Sequence, residues 1–126
     1  MRSFTRFLLF IPLLDVSEIR RGIQEHHWVS RNDDEFKFHL DRYKYPNRYE
    51  GVDEVEQRTL ASAYLLDLDE RLGSIEAFGE SLSDALFPFV RQFANHDRDW
   101  FDSQPWSNVL EWLKENLESE AFKLCM

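Results

Sequence analysis

The sequence predicts an all-α fold, a bundle of five or six helices packed round one central buried helix. Between Leu82 and Phe93 the apolar residues fall on every side of a helical wheel, as they do in a helix wrapped by other helices. From Ala61 to Leu72 they fall instead on one leucine-rich stripe. Nowhere do apolar and polar residues alternate with the period of two that marks a half-buried strand. A chain of 126 residues is long enough for one core, and 43% hydrophobic residues with four Gly and four Pro fit a packed helical protein better than a turn-rich β architecture.

Residues 1–14 read as an apolar segment apart from a single helical domain at 15–126. Arg2 and Arg6 followed by the run Phe7 to Leu14 have the layout of a signal peptide, but Asp15-Val16-Ser17 offers no small-x-small cleavage site. The run is also too short to span a bilayer as a helix, and an apolar stretch of this kind calls for a cover. Asp15 and Glu18 then form a candidate capping box for a helix over about Val16 to Ser30, with Ile19, Ile23 and His27 recurring on one face. Asn32 caps a second helix, whose first turn places Asp33, Asp34 and Glu35 where the helix dipole favours anions. Its apolar face is Phe36, Leu40 and Tyr43, with Asp33–Lys37 and Lys37–Asp41 as ion pairs one turn apart, and Pro46 ends it.

After a loop containing Gly51, a third helix carries Ala61, Tyr64, Leu65, Leu68 and Leu72 on one face, and Gly73 supplies a left-handed stop. The central helix starts at Ser81 and Asp84, which stand in a capping-box relation: the serine hydroxyl takes one orphan amide proton of the first turn and the acid reaches back for another. Pro88 removes one backbone hydrogen bond inside it and crowds the carbonyl of Asp84, which predicts a bend. Asn95 to Gln104 read as a polar loop or single turn holding Trp100 and Phe101. Pro105 suits the first turn of a final helix with the face Trp106, Leu110, Leu113 and Leu117, and Ser119-Glu120 open a last turn through Phe122.

A formal charge of −9 disfavours nucleic acid and anionic membrane as partners. The lone Cys125 allows no internal disulfide, fits the reducing cytoplasm and has no neighbour that would activate its thiol. His26, His27, His39 and His96 match no metal-site spacing, and His26 and His27 point about 100° apart on a helix, so they read as solvated or core residues. There is no phosphate-binding Gly-rich loop, no nucleophile elbow and no Cys-x-x-Cys, so the residues by themselves display no catalytic apparatus. One cluster stands apart: Arg42-Tyr43-Lys44-Tyr45-Pro46-Asn47-Arg48-Tyr49 alternates cations with phenols in an acidic chain. Two readings stand side by side. Arg42, Tyr43, Tyr45 and Tyr49 offer a ligand surface to an anionic or aromatic small molecule, or else the tyrosines pack on the bundle while the cations answer the helix dipole. Trp100, Phe101, Trp106 and Trp112 pose the same choice between aromatic box and core.

The run from Phe87-Pro88-Phe89-Val90-Arg91-Gln92-Phe93-Ala94 through Asn95-His96-Asp97-Arg98-Asp99-Trp100-Phe101, with Pro105-Trp106 and the periodicity beyond, closely resembles the C-terminal all-α domain of bacterial glutathione S-transferases. Asn32 to Tyr49 resembles the segment preceding the central helix in the same subgroup, so the likeness covers roughly residues 32–126. It implies that Ser81 and Asp84 are a folding element and not catalytic residues. In that family an N-terminal thioredoxin-like domain binds glutathione and activates its thiol, while the helical domain contributes the pocket for a hydrophobic second substrate. No βαβ unit or nucleophile motif precedes Asn32 here. The resemblance therefore implies a stand-alone or truncated helical domain with little or no conjugating activity alone, using glutathione only if another chain completes the site. The alternative is an interaction module, in which a homo-oligomer, a protein partner or residues 4–14 cover the face that a thioredoxin-like domain would occupy.

Overall fold

The structure, a computed structural model, describes residues 16–75 and 78–125. The expectations for residues 1–14 and for a cap at Asp15 lie outside them, as do the side chains of Phe122 and Cys125. The described elements are all helical: α1 (Val16–Arg31), a π turn (Asn32–Phe36), α2 (Lys37–Lys44), a 3-10 turn (Pro46–Arg48), α3 (Glu54–Leu72), α4 (Glu80–His96), α5 (Arg98–Asp102) and α6 (Ser107–Cys125). The all-α bundle predicted from periodicity is present, with α4 at its centre. Leu82, Leu86, Phe87, Val90, Phe93 and Ala94 of that helix are all buried, and Pro88 lies inside it.

Asn32 does not cap a new helix. Arg31 at φ −62°, ψ −40° and Phe36 at φ −66°, ψ −46° keep the backbone in the right-handed helical region, so α1, the π turn and α2 form one continuous rod. The wide turn has a packing reason. Eight residues of regular α-helix overshoot two full turns by about 80°, which would carry Trp28 out of line with Phe36. A π turn, with more residues per turn, absorbs that overshoot. Both rings consequently meet Tyr64 of α3, Trp28 at 5.7 Å edge-on and Phe36 stacked at 4.7 Å. The same alignment carries Asn32 into the core, where its Oδ1 has no hydrogen-bond partner.

α3 runs antiparallel to this rod, tied at one end by His39 Nδ1 and Gln57 Oε1 at 2.7 Å and at the other by Arg31 Nη1 and Asp67 at 3.0 Å. Burial opposes the charge of Arg31, but hydrogen bonds and charges from Glu35 and Asp67 outweigh it, and its pKa is raised. The Arg31 guanidinium also lies 5.5 Å and 5.3 Å from the Trp28 and Tyr64 rings, a cation against two aromatic faces. The predicted apolar face of α1 is not covered by these contacts. Ile19 is 51% exposed and Ile23 66%, His27 is exposed, and the buried residue of the helix is Trp28.

The ends of the helices correct the sequence reading in four places. α4 starts at Glu80 with Gly79 as its N-cap, so Ser81 lies inside the first turn and the Ser81–Asp84 capping box is not the device that begins it. Gly79 sits at φ +81°, a conformation open to glycine, and the Ser83 amide bonds back to its carbonyl at 3.1 Å. Gly73 is right-handed at φ −76° and is no left-handed stop. Its reason is space: a Cβ there would meet Asn108 Nδ2 at 2.7 Å. Pro105 precedes the final helix, which starts at Ser107, and that helix runs through Ser119 without a break; within Asn95–Gln104 the expected single turn is α5, while Asn95 and His96 end α4.

α6 is fastened by a carboxylate from another helix. Asp69 Oδ1 accepts the backbone N–H groups of Asn108 at 2.8 Å and Val109 at 3.0 Å, while Asn108 Nδ2 donates to the Asp69 carbonyl at 3.1 Å. Two of the orphan donors of the first turn are thereby satisfied across the α3–α6 contact, and negative charge sits at the positive end of the helix.

Tyr64 generates a test of this packing. Its ring is fully buried, its hydroxyl has no partner, and burial holds its phenol pKa well above the ordinary 10.0. Removing an unpaired buried hydroxyl relieves a desolvation cost of about 1 kcal/mol or more. Tyr64→Phe is therefore expected to leave the urea midpoint unchanged or raised, whereas an ordinary hydrogen-bonded tyrosine would lose stability. A phenol whose folded pKa is raised adds nothing to the pH dependence below the unfolded-state value near 10; above it the unfolded state ionises first, so stability falls as pH rises. The alkaline loss of stability above pH ~10 should accordingly be shallower in Tyr64→Phe.

Candidate functional site: a cleft between the π turn, α2 and α4

The face of the rod next to its core stripe forms one wall of a cleft, and α4 supplies the other. The core residues Phe36, Leu40 and Tyr43 hold α2 against Phe93 of α4, with Phe36 and Tyr43 ring centroids 5.5 Å and 5.2 Å from it. One helical step round from that stripe, Asp33, Lys37, Asp41 and Lys44 face the groove, and Phe89 and Gln92 answer them from α4. Asp34, Phe38, Arg42 and Tyr45 complete the rim and Leu40 reaches its floor. The cavity measures about 570 Å³, within the ~300–1,000 Å³ of small-molecule sites.

Its charges are unevenly spent. Lys37 Nζ pairs with Asp33 at 3.2 Å and lies 4.2 Å above the Phe89 ring, while the predicted Lys37–Asp41 pair does not form. Asp41 accepts the Tyr49 hydroxyl instead, and Asp34 accepts from Ser30 Oγ at 3.3 Å. The Arg42 guanidinium lies 3.4 Å from the Phe38 ring centroid and 4.2 Å from that of Tyr49, and its Nη1 donates to the Phe38 carbonyl at 3.1 Å. Lys44 Nζ donates to Gln92 Oε1 at 3.3 Å, a side-chain bond that crosses the mouth from α2 to α4.

The residues singled out from sequence separate into three groups. Arg42 and Tyr45 line the cleft, with Tyr45 39% exposed and its ring flanked by Arg48 at 4.0 Å and Lys44 at 5.1 Å. Tyr49 does not line it but braces Arg42 and Asp41 from behind. Tyr43 belongs to the core at 2% exposure, packed on Phe93 and on His96 at 4.4 Å. Burial raises its phenol pKa, and a hydrogen bond and charge from Arg58 pull the other way. The tryptophans resolve as core: Trp106 and Trp112 are buried, and Trp100 packs on Trp106 at 5.8 Å.

Sequence reasoning missed Phe89 and Gln92, which lie far along the chain from the tyrosine cluster. Gln92 gave no signal of its own, since it is one of several polar residues on the central helix and follows Arg91 directly. Among the described residues no helix is long and apolar enough to cross a membrane. Comparison with known protein families, with curated proteins and with solved structures found no match.

The division of the tyrosines makes a direct prediction. Tyr43→Ala should cost about 3–5 kcal/mol in chemical denaturation, the penalty of emptying a buried aromatic site. Tyr45→Ala should stay within about 0.5 kcal/mol of the parent, as surface positions do.

Proposed function

We propose that the chain is a helical ligand-binding domain of the kind that forms the C-terminal half of bacterial glutathione S-transferases, and that it holds an apolar or aromatic small molecule in the cleft between α2 and α4. The observation that carries this reading is the cleft: Phe38, Tyr45 and Phe89, fixed on a close-packed core, border an open volume of about 570 Å³ whose remaining lining is Leu40, three acids, three cations and Gln92. The all-helical bundle round a buried α4 supports the transferase-like assignment. Conjugation requires a glutathione thiolate held next to its electrophile by a positioned donor. The groups gathered at this cleft are rings, carboxylates and cations, which bind and orient, so the domain has little or no conjugating activity by itself.

A second reading rests on α1. Val16, Ile19 and Ile23 are 78%, 51% and 66% exposed along one side of a helix, the pattern of a contact surface for a second copy of this chain. Calorimetric titration with 2-naphthamide and a conjugation assay with glutathione and a chlorinated nitrobenzene test the first reading. Saturable naphthamide binding without conjugation is expected; conjugation by the pure protein would contradict it. A light-scattering mass above the monomer's 15.2 kDa, lowered by Ile19→Glu and accompanied by no ligand binding, would favour the second reading.

A further inference from the structure

We infer that the cleft selects a planar aromatic monoanion, a carboxylate on a ring system, with Arg42 and Lys44 receiving the anionic group and Phe38, Tyr45 and Phe89 the ring. The inference rests on the cleft being a ligand site and adds the charge of its ligand. The cleft holds Asp33, Asp34 and Asp41 against Lys37, Arg42 and Lys44, so its formal charge balances. The distribution is what matters. Asp33 and Lys37 neutralise each other, while Asp41 accepts the Tyr49 hydroxyl and keeps its charge. Arg42 and Lys44 contact rings and neutral oxygens only, and among the described residues neither has a carboxylate within ion-pair distance.

Two cations at one end of a cleft attract more than the helix end beneath them repels. The last-turn carbonyls of α2 amount to about half a negative charge and Asp41 to one more, against two full positive charges. Asp34, the remaining acid, lies eight residues before Arg42 and ten before Lys44, roughly 12–15 Å along the rod and beyond the ~8 Å screening length of physiological salt. The Arg42 guanidinium lies against the Phe38 and Tyr49 rings, and a guanidinium stacked on rings keeps its edge N–H groups for a carboxylate. Gln92 is bonded to Lys44 through its oxygen, and among the described residues its amide N–H groups have no partner and can turn toward the same anion. One negative charge fits this arrangement. A dianion would exceed the single positive charge that Arg42 and Lys44 leave over Asp41, in a chain that carries −9 as a whole.

The test compares 2-naphthoate with 2-naphthamide, two ligands of the same ring and shape that differ in charge, by calorimetric titration of the full chain at pH 7. The expected result is that naphthoate binds about tenfold more tightly, as charge-assisted hydrogen bonds allow. The ratio of the two affinities should fall toward one in Lys44→Met and, independently, in Arg42→Gln, so that poor folding of either variant leaves the other as the test. Equal binding of the two ligands by the parent would overturn the inference and leave the cleft as a ligand site. Tighter naphthoate binding with an unaltered ratio in both variants would also overturn it, since the anion would then be held elsewhere. Binding of neither ligand would overturn the inference together with the ligand-site reading.

Discussion

The packing of Phe93 against four other rings is the contact on which the rest of the architecture depends. Its centroid lies 5.5 Å from Phe36, 5.2 Å from Tyr43, 6.0 Å from Trp100 and 6.1 Å from Phe101. Those partners come from the π turn, from α2 and from α5, so one side chain of the central helix sets the positions of three other elements. Offset and edge-on ring pairs of this kind add about 0.5–1.5 kcal/mol each beyond the area they bury. The cleft follows from this contact. Once α2 is pinned to α4 by its core face, the neighbouring faces of the same two helices must diverge into a groove, and the residues there are carried by rigid helices and not by loops.

The π turn is the second constraint, and it shows a local conflict resolved by tertiary packing. Keeping Trp28 and Phe36 on one face of the rod lets both rings embrace Tyr64, but it buries the amide of Asn32 and leaves both Asn32 Oδ1 and the Tyr64 hydroxyl unpaired. Unpaired buried polar groups each cost about 1–3 kcal/mol, so the aromatic packing must exceed that cost for the turn to persist. The turn also brings Asp33 and Asp34 to the cleft, which couples the most frustrated stretch of the core to the mouth of the candidate site.

Much of this was legible in the sequence, and the failures have particular causes. The α3 stripe of Ala61, Tyr64, Leu65 and Leu68 is buried as its periodicity implies, and the all-round apolar pattern of Leu82 to Phe93 marks the central helix. The break assigned at Asn32 failed because an Asn followed by three acids has the local marks of a helix start, whereas continuity through a π turn is decided by the Tyr64 ring on α3. Ser81 failed as a cap because the glycine two residues earlier could adopt the required backbone without a side chain. The structure divides the tyrosine cluster between core and cleft wall. Tyr43 shares the spacing of Phe36 and Leu40 and follows them into the core, while Arg42 and Tyr45 fall off that stripe and reach the cleft. Phe89 and Gln92 were not legible as site residues, since pairing between distant helices leaves no local spacing to read.

The cleft account stands or falls on where a ligand sits. The most direct measurement is a two-dimensional amide NMR titration of the full chain with 2-naphthamide. The account predicts that the shifted resonances gather in Asp33–Tyr45 and Phe89–Gln92, with α6 and the exposed side of α1 unmoved. Shifts gathered at Val16–Ile23, or none at saturating ligand, would contradict it.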